Sequence, residues 1–256
     1  MLPVSVHDRS ELAALLQRDP ALHAYELGDL DDFFWPWTVW YRHRDSVALV
    51  YHGNGHPTLL AFERPERVGA LRELLTGLRP LLPRRFHALV TEGAEDVLGD
   101  GPDVEPHGLH LRMALTDRAG VLARAPQAEP LTRADLADLL ELYGAAYPDN
   151  WFDPRMLDTG QYVGIRDEGE LVATAGVHVW SPAYRIAVLG NVATHPRVRG
   201  RGLGRAVVST LCGRLLDTVD HVALNVRANN AAAVGLYTSL GFDAVGHFHE
   251  LTAGRQ

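Results

Sequence analysis

Hydrophobic and polar positions along the chain follow two periods. Apolar residues three and four apart predict helices over residues 12–16, 71–78, 136–143, 206–216 and 231–240. Short apolar or alternating runs predict strands over 47–51, 58–62, 87–90, 109–115, 162–165, 171–180, 185–194, 222–226 and 242–245. In the run 109–115, Leu109, Leu111, Met113 and Leu115 fall on one face. His-Gly-Asn-Gly-His at 52–56 and Asp167-Glu168-Gly169 each separate two strands and predict hairpins. Ser10 is the expected N-cap of the first helix, which should end near Asp19-Pro20, and Thr132 with Asp135 forms a variant capping box. Gly241 stands where a left-handed residue closes a helix.

The order helix, hairpin, helix, strand occurs in both halves of the chain. Residues 59–75 (LLAFERPERVGALRELL) and 191–208 (NVATHPRVRGRGLGRAVV) both run from a strand through a polar link with a proline into a helix. A link rich in Ala, Arg, Gly and Pro, at about 117–130, divides the chain into units 1–120 and 126–256.

Composition narrows the class. The chain has 256 residues, 46% hydrophobic and 22% charged, as in a globular protein. No apolar run approaches the ~20 residues of a membrane span, and no signal peptide is visible, so a cytoplasmic protein with no membrane partner is expected. Cys212 is the one cysteine, which excludes a disulfide framework; it reads as a packing residue. The thirteen histidines are scattered, and no metal site is expected. A formal net charge of −8 argues against a nucleic-acid partner. Acidic residues Glu26, Asp29, Asp31 and Asp32 precede six aromatics between Phe33 and Tyr41; a solvated loop and the wall of an amine-attracting cleft are both open.

Against that acidic background, residues 197–205 hold four arginines and three glycines. They join a predicted strand to a predicted helix, an arrangement that turns the first-turn N–H groups of the helix toward an anion. With no lysine in the chain, this is not a GxxxxGK[ST] phosphate loop, and the glycines do not spell GxGxxG. They spell R-x-x-G-x-G, from Arg199 to Gly204. That stretch resembles the coenzyme A pyrophosphate loop of the GNAT superfamily of N-acetyltransferases. Downstream, Val226, Asn230, Ala233, Leu236, Tyr237, Leu240, Gly241 and Phe242 match the family pattern V-x-x-x-N-x-x-A-x-x-L-Y-x-x-L-G-F. The resemblance covers roughly residues 126–250.

The resemblance implies a mixed α/β (α+β) sheet with the GNAT fold in the second half. The internal similarity then makes the first half a degenerate GNAT-like copy without the phosphate loop; an unrelated α+β domain is the alternative. It also implies an N-acetyltransferase that moves acetyl from acetyl-CoA to a primary amine, a small molecule in the first reading, by direct attack in a ternary complex. A non-catalytic acyl-CoA-binding or regulatory module is the other reading. The implied cofactor-binding residues are Arg199, Gly200, Arg201, Gly202, Leu203, Gly204 and Arg205, the strand amides of Val192, Ala193 and Thr194, and Asn230, for which helix capping is equally open. Tyr237 matches the family's proton donor to the departing thiolate. Where some members carry a glutamate base this chain has Val188, so His178 is the candidate base, with His195 and Glu250 as rivals. The acceptor, the acyl length and the oligomeric state are not legible, and weak homodimer formation is compatible with the sequence.

Overall fold

The computed structural model describes residues 3–53, 55–99, 104–123, 127–148 and 150–254. Of the stretches singled out above, Asn54 and residues 124–126 of the link lie outside these. In chain order the elements are β1 (Val4–Val6), α1 (Arg9–Leu16), α2 (Ala24–Asp29), β2 (Thr38–His43), β3 (Ser46–Tyr51), β4 (Thr58–Ala61), α3 (Val68–Leu78), β5 (Arg85–Thr91) and β6 (Val104–Leu115). There follow α4 (Ala119–Leu122), β7 (Glu129–Pro130), α5 (Leu136–Ala146), β8 (Val163–Asp167), β9 (Glu170–Ser181), β10 (Ile186–Thr194), α6 (Leu203–Leu215), β11 (His221–Arg227), α7 (Ala231–Thr238) and β12 (Phe242–Gly254).

These elements form two compact units. The first comprises Met1–Met113, Val226–Asn230 and Ala244–Gln256, the second Ala114–Asn225 and Ala231–Asp243. A single cut in the 117–130 link therefore does not divide the chain, since most of β12 belongs with the first unit. Leu251 and Ala253 of β12 are buried among Leu71, Leu74, Leu75 and Leu78 of α3, and β12 pairs antiparallel with β5 from Phe248 opposite Thr91 to Gly254 opposite Arg85. The link is not bare either, for it carries α4 and β7.

Each unit repeats one plan. In the first, β1, β2, β3 and β4 pair antiparallel in sequence order, and β5 joins parallel to β4 after α3. In the second, β7, β8, β9 and β10 pair antiparallel in order, and β11 joins parallel to β10 after α6. The mixed sheet with crossover helices is the expected α/β class, and the repeat follows the internal similarity.

The two copies differ where the anion loop lies. In the first unit a 3-10 turn, Pro65–Arg67, runs straight into α3. In the second the corresponding turn, Pro196–Val198, is separated from α6 by residues 199–202. Pairing of β4 with β5 holds to Ala61 opposite Val90, the last residue of β4, and just beyond it Thr91 Oγ1 accepts from Glu63 N–H at 2.8 Å. Pairing of β10 with β11 stops at Leu189 opposite Leu224, with five residues of β10 still to run.

Local expectations largely hold, with three corrections. The cap of α1 is Asp8, not Ser10; its carboxylate accepts from the N–H groups of Ser10 and Glu11, and an anion is favoured at that end of a helix. Glu26 and Asp29 are buried on α2 and are neither loop nor cleft wall; of the four acids only Asp31 and Asp32 keep substantial exposure. In β6 the buried face carries His110 and Arg112, while Leu109, Leu111 and Leu115 are only half-buried. The last two share a cause. The Arg112 guanidinium donates to Glu26 Oε2 at 3.1 Å and Leu22 O at 2.5 Å and stacks 3.5 Å from the Phe62 ring centroid. A paired, hydrogen-bonded charge can enter a core that a lone one cannot.

Candidate functional site

The site begins where β10 leaves β11. His195 N–H donates to Val172 O at 2.8 Å, and Ala193 lies opposite Thr174 of β9. Successive residues of an antiparallel strand turn their N–H groups to alternate sides. The Thr194 N–H therefore faces away from β9, on the side where pairing with β11 has ended. Just upstream, β10 carries one residue more than β9 between Gly190 and Ala193, a bulge in which Asn191 has φ +55°.

Beyond Thr194 the chain makes its 3-10 turn and then the glycine loop. Gly200 and Gly202 have φ +79° and +80°, which a β-carbon disfavours, and a β-carbon on either would meet no atom within 4 Å. The left-handed Gly202 is the N-cap of α6 and brings no side chain to cap it. Ala206 N–H starts the helical bonding to Gly202 O, so Leu203, Gly204 and Arg205 carry the first-turn N–H groups. Open space borders the loop at Gly200 and Gly202, just ahead of these donors. The residues fit a pyrophosphate, because the loop is backbone-lined, rich in arginine and unobstructed at those two glycines.

The arginines around the loop are held by protein groups. Arg197 pairs with Glu170 and Arg201 with Asp167 at 3.1 Å, both acids at the β8–β9 turn. Arg199 Nε donates to Thr194 O at 3.2 Å, and Arg205 donates to Ser239 Oγ at 2.5 Å and Ser239 O at 3.3 Å. All four are solvent-accessible pairs of low strength, which an incoming phosphate can replace.

Of the other residues singled out from sequence, Val192 and Thr194 are half-buried and Ala193 is buried. Tyr237 is buried, edge-on to Phe242 at 5.9 Å, and no described residue hydrogen-bonds its hydroxyl. Burial, with Cys212 and Tyr147 adding to it, pushes its phenol above the ordinary value. Cys212 is buried and pushed up to about 12 by the same desolvation, as suits a packing thiol. The His178 ring lies against Gly190, where a β-carbon would fall 2.1 Å from its Cδ2, and burial pushes this imidazole down to about 4. His195 is spent on the turn, its Nδ1 accepting from Arg197 N–H at 3.3 Å.

Two residues fall in the first unit. Asn230 is exposed in the turn before α7, so its cofactor role rests on the motif alone. Glu250 sits 2.9 and 3.0 Å from His87 and His110. Burial raises its carboxyl, but the hydrogen bonds from both histidines outweigh that and hold it well below the usual range, making it a poor base. Among the described residues, no group of three His, Cys, Asp or Glu is placed to hold a metal ion, and no helix is long and apolar enough to cross a membrane.

Periodicity gave no sign of the residues beneath the bulge. Tyr143 OH donates to Asn191 O at 3.1 Å, and Asn191 Nδ2 donates to Tyr162 OH at 2.9 Å. Tyr143 was legible as one apolar position on a helix and Tyr162 as the start of a strand. Nothing local tied either to residue 191.

Residues 129–242 match the Acetyltransferase (GNAT) family. N-alpha-acetyltransferase RimI of Mycobacterium tuberculosis is 34% identical over 125 residues, which are 45% of this chain and 77% of that protein. Mycothiol acetyltransferase of Paenarthrobacter aurescens is 34% identical over 136 residues, 50% of this chain but only 38% of that longer protein. Among solved structures, a tandem GNAT protein from the clavulanic acid biosynthesis pathway aligns over 99% of this chain and 97% of its own, with a TM-score of 0.56 and 18% identity, a likeness of fold.

Proposed function

The chain belongs to the GNAT acetyltransferase family, and from that premise we propose that it transfers acetyl from acetyl-CoA to a primary amine of a small molecule, both reactants bound together. The observation that carries this reading is the left-handed Gly200–Gly202 loop, open above the first turn of α6, at the end of a strand that has parted from its neighbour.

Bound acetyl-CoA supplies an activated acyl carbon and a thiolate leaving group. Residues 199–205 hold the pyrophosphate through the first-turn N–H groups of α6 and the arginine side chains. The outward Thr194 amide, with Val192 beside it, positions the pantetheine arm and polarises the carbonyl, while the Ala193 N–H, turned toward β9, takes no part. Tyr237, protonated throughout the neutral range, donates its proton to the departing sulfur.

His178 takes the amine's proton. An imidazole near 4 cannot strip an alkylammonium near 10; that transfer is uphill by roughly 8 kcal/mol. The acceptor must therefore arrive neutral and yield its proton as the C–N bond forms, while the C–S bond breaks and sulfur takes the Tyr237 proton. The expected pH–rate profile rises toward the pKa of the acceptor itself, and His178→Ala lowers kcat without moving that limb. An unchanged kcat would remove His178 from the role.

Calorimetry with coenzyme A, followed by thiol release from acetyl-CoA with a panel of amines, tests the reading. Gly202→Ala, which forces a β-carbon into left-handed backbone at a cost of about 1–2 kcal/mol, should weaken binding on the order of tenfold. No uptake of coenzyme A at millimolar concentration would overturn the proposal. Uptake without thiol release from any acceptor would leave the binding-module reading, and release only with peptides bearing a free N-terminus would replace the small-molecule acceptor.

A further inference from the structure

Asn191 combines three features that rarely coincide. It is 3% exposed, it has the left-handed φ of +55°, and its Oδ1 finds no hydrogen-bond partner among the described residues. A buried acceptor left unmet costs about 1–3 kcal/mol. Asn191 presents Nδ2 to Tyr162 OH at 2.9 Å, which leaves the hydroxyl its own hydrogen for Val177 O at 3.2 Å. Met156 Sδ is the second neighbour of that nitrogen, at 3.5 Å. On the main-chain side, Tyr143 OH donates to Asn191 O.

The residue is thus held twice, by its carbonyl to α5 and by its side chain to the residue that precedes β8. Both tyrosines are buried, and desolvation raises both phenols, so each remains a hydroxyl across the neutral range. Asparagine suits this place because it tolerates left-handed backbone better than other residues with a β-carbon and still supplies a donor. Glycine would keep the backbone and lose the donor. Aspartate would lose the donor and bury a carboxylate at a position only 3% exposed.

The bulge has a geometric consequence two residues on. The extra residue sets the alternation of β10 so that Ala193 and His195 bond to β9 while the Thr194 N–H turns to the side where β11 has left. We infer that Asn191 is a positioning residue, pinned by Tyr143 and Tyr162, that aims the Thr194 amide at the thioester carbonyl. The inference rests on the acetyltransferase reading above and assigns Asn191 no contact with substrate.

The test needs no acceptor. Acetyl-CoA labelled with carbon-13 at the thioester carbonyl is bound to the intact 256-residue chain; its affinity is measured by calorimetry and its carbonyl stretch by difference infrared spectroscopy. In the wild type the stretch should move to lower frequency on binding. Asn191→Ala should lose most of that shift while its Kd stays within about threefold, because the glycine loop is untouched. Asn191→Gly should retain part of the shift and Asn191→Asp little of it. Tyr162→Phe, which keeps the ring and removes the hydroxyl, should reduce it in the same direction; with Asn191→Gly it decides the matter if Asn191→Ala does not fold. Wild-type shifts in Asn191→Ala or in Tyr162→Phe would overturn the assignment alone. Wild-type protein that takes up no acetyl-CoA would overturn the acetyltransferase reading and this assignment with it.

Discussion

Single residues in this chain owe their states to partners far away in sequence. Burial, and then the charge of Glu26, push the Asp29 carboxyl well above its ordinary value, with Arg112 opposing. An acid whose folded pKa exceeds its unfolded value stabilises the fold at low pH and loses that contribution as pH rises through the folded pKa. Asp29→Asn, which cannot ionise, should therefore melt at or above the wild-type temperature. The gap should widen as pH rises above the ordinary carboxylate range, by at most roughly 1.4 kcal/mol per pH unit, and level off once Asp29 ionises in the folded state. Thermal melts at several pH values check this, and a gap independent of pH would count against it. Gly190 shows the same dependence in packing, since the His178 ring occupies the space a side chain would need.

At the scale of elements, the turns decide more than the helices and strands they join. Gly241 closes α7 at φ +94°, and its carbonyl accepts from Thr116 and Asp117 N–H at 3.0 and 3.1 Å. A β-carbon there would fall 1.9 Å from Asp117 O, backbone that cannot swing aside. Gly241→Ala should cost ~3 kcal/mol or more, read as a loss of denaturant midpoint or of soluble protein. A change below 1 kcal/mol would mean that the contact relaxes more easily than its geometry implies. The glycine loop was legible for the same reason that this stop was, because left-handed backbone is written in glycine. The bulge at Asn191 was not, for an asparagine in an apolar run gives no sign that two tyrosines will hold it.

For the molecule as a whole, the two units carry one plan, but among the described residues only the second sets a glycine loop between its 3-10 turn and its helix. A single coenzyme A per chain is expected in calorimetry, because the first unit joins its 3-10 turn directly to α3 where the second interposes residues 199–202. A stoichiometry near two would refute this. Ending the chain at Asp243 would spare the family-matching span 129–242 yet strip β5 of its seven-residue pairing with β12. Amide exchange should then show protection lost over Arg85–Thr91; preserved protection would contradict the membership of β12 in the first unit.

The sequence by itself determined what is fixed between near neighbours: the period of most of the longer helices and strands, the hairpin turns, the capping box, the glycines of the loop, and the repetition of one plan. These depend on backbone preference and side-chain direction over a few residues, which composition and spacing record. Tertiary structure alone decided which polar groups could be buried. Arg112 meets Glu26 across 86 positions, and Tyr143 and Tyr162 reach Asn191 across 48 and 29. It also decided that the last strand serves the first unit, since a strand's pattern shows that one face is buried but not against which core.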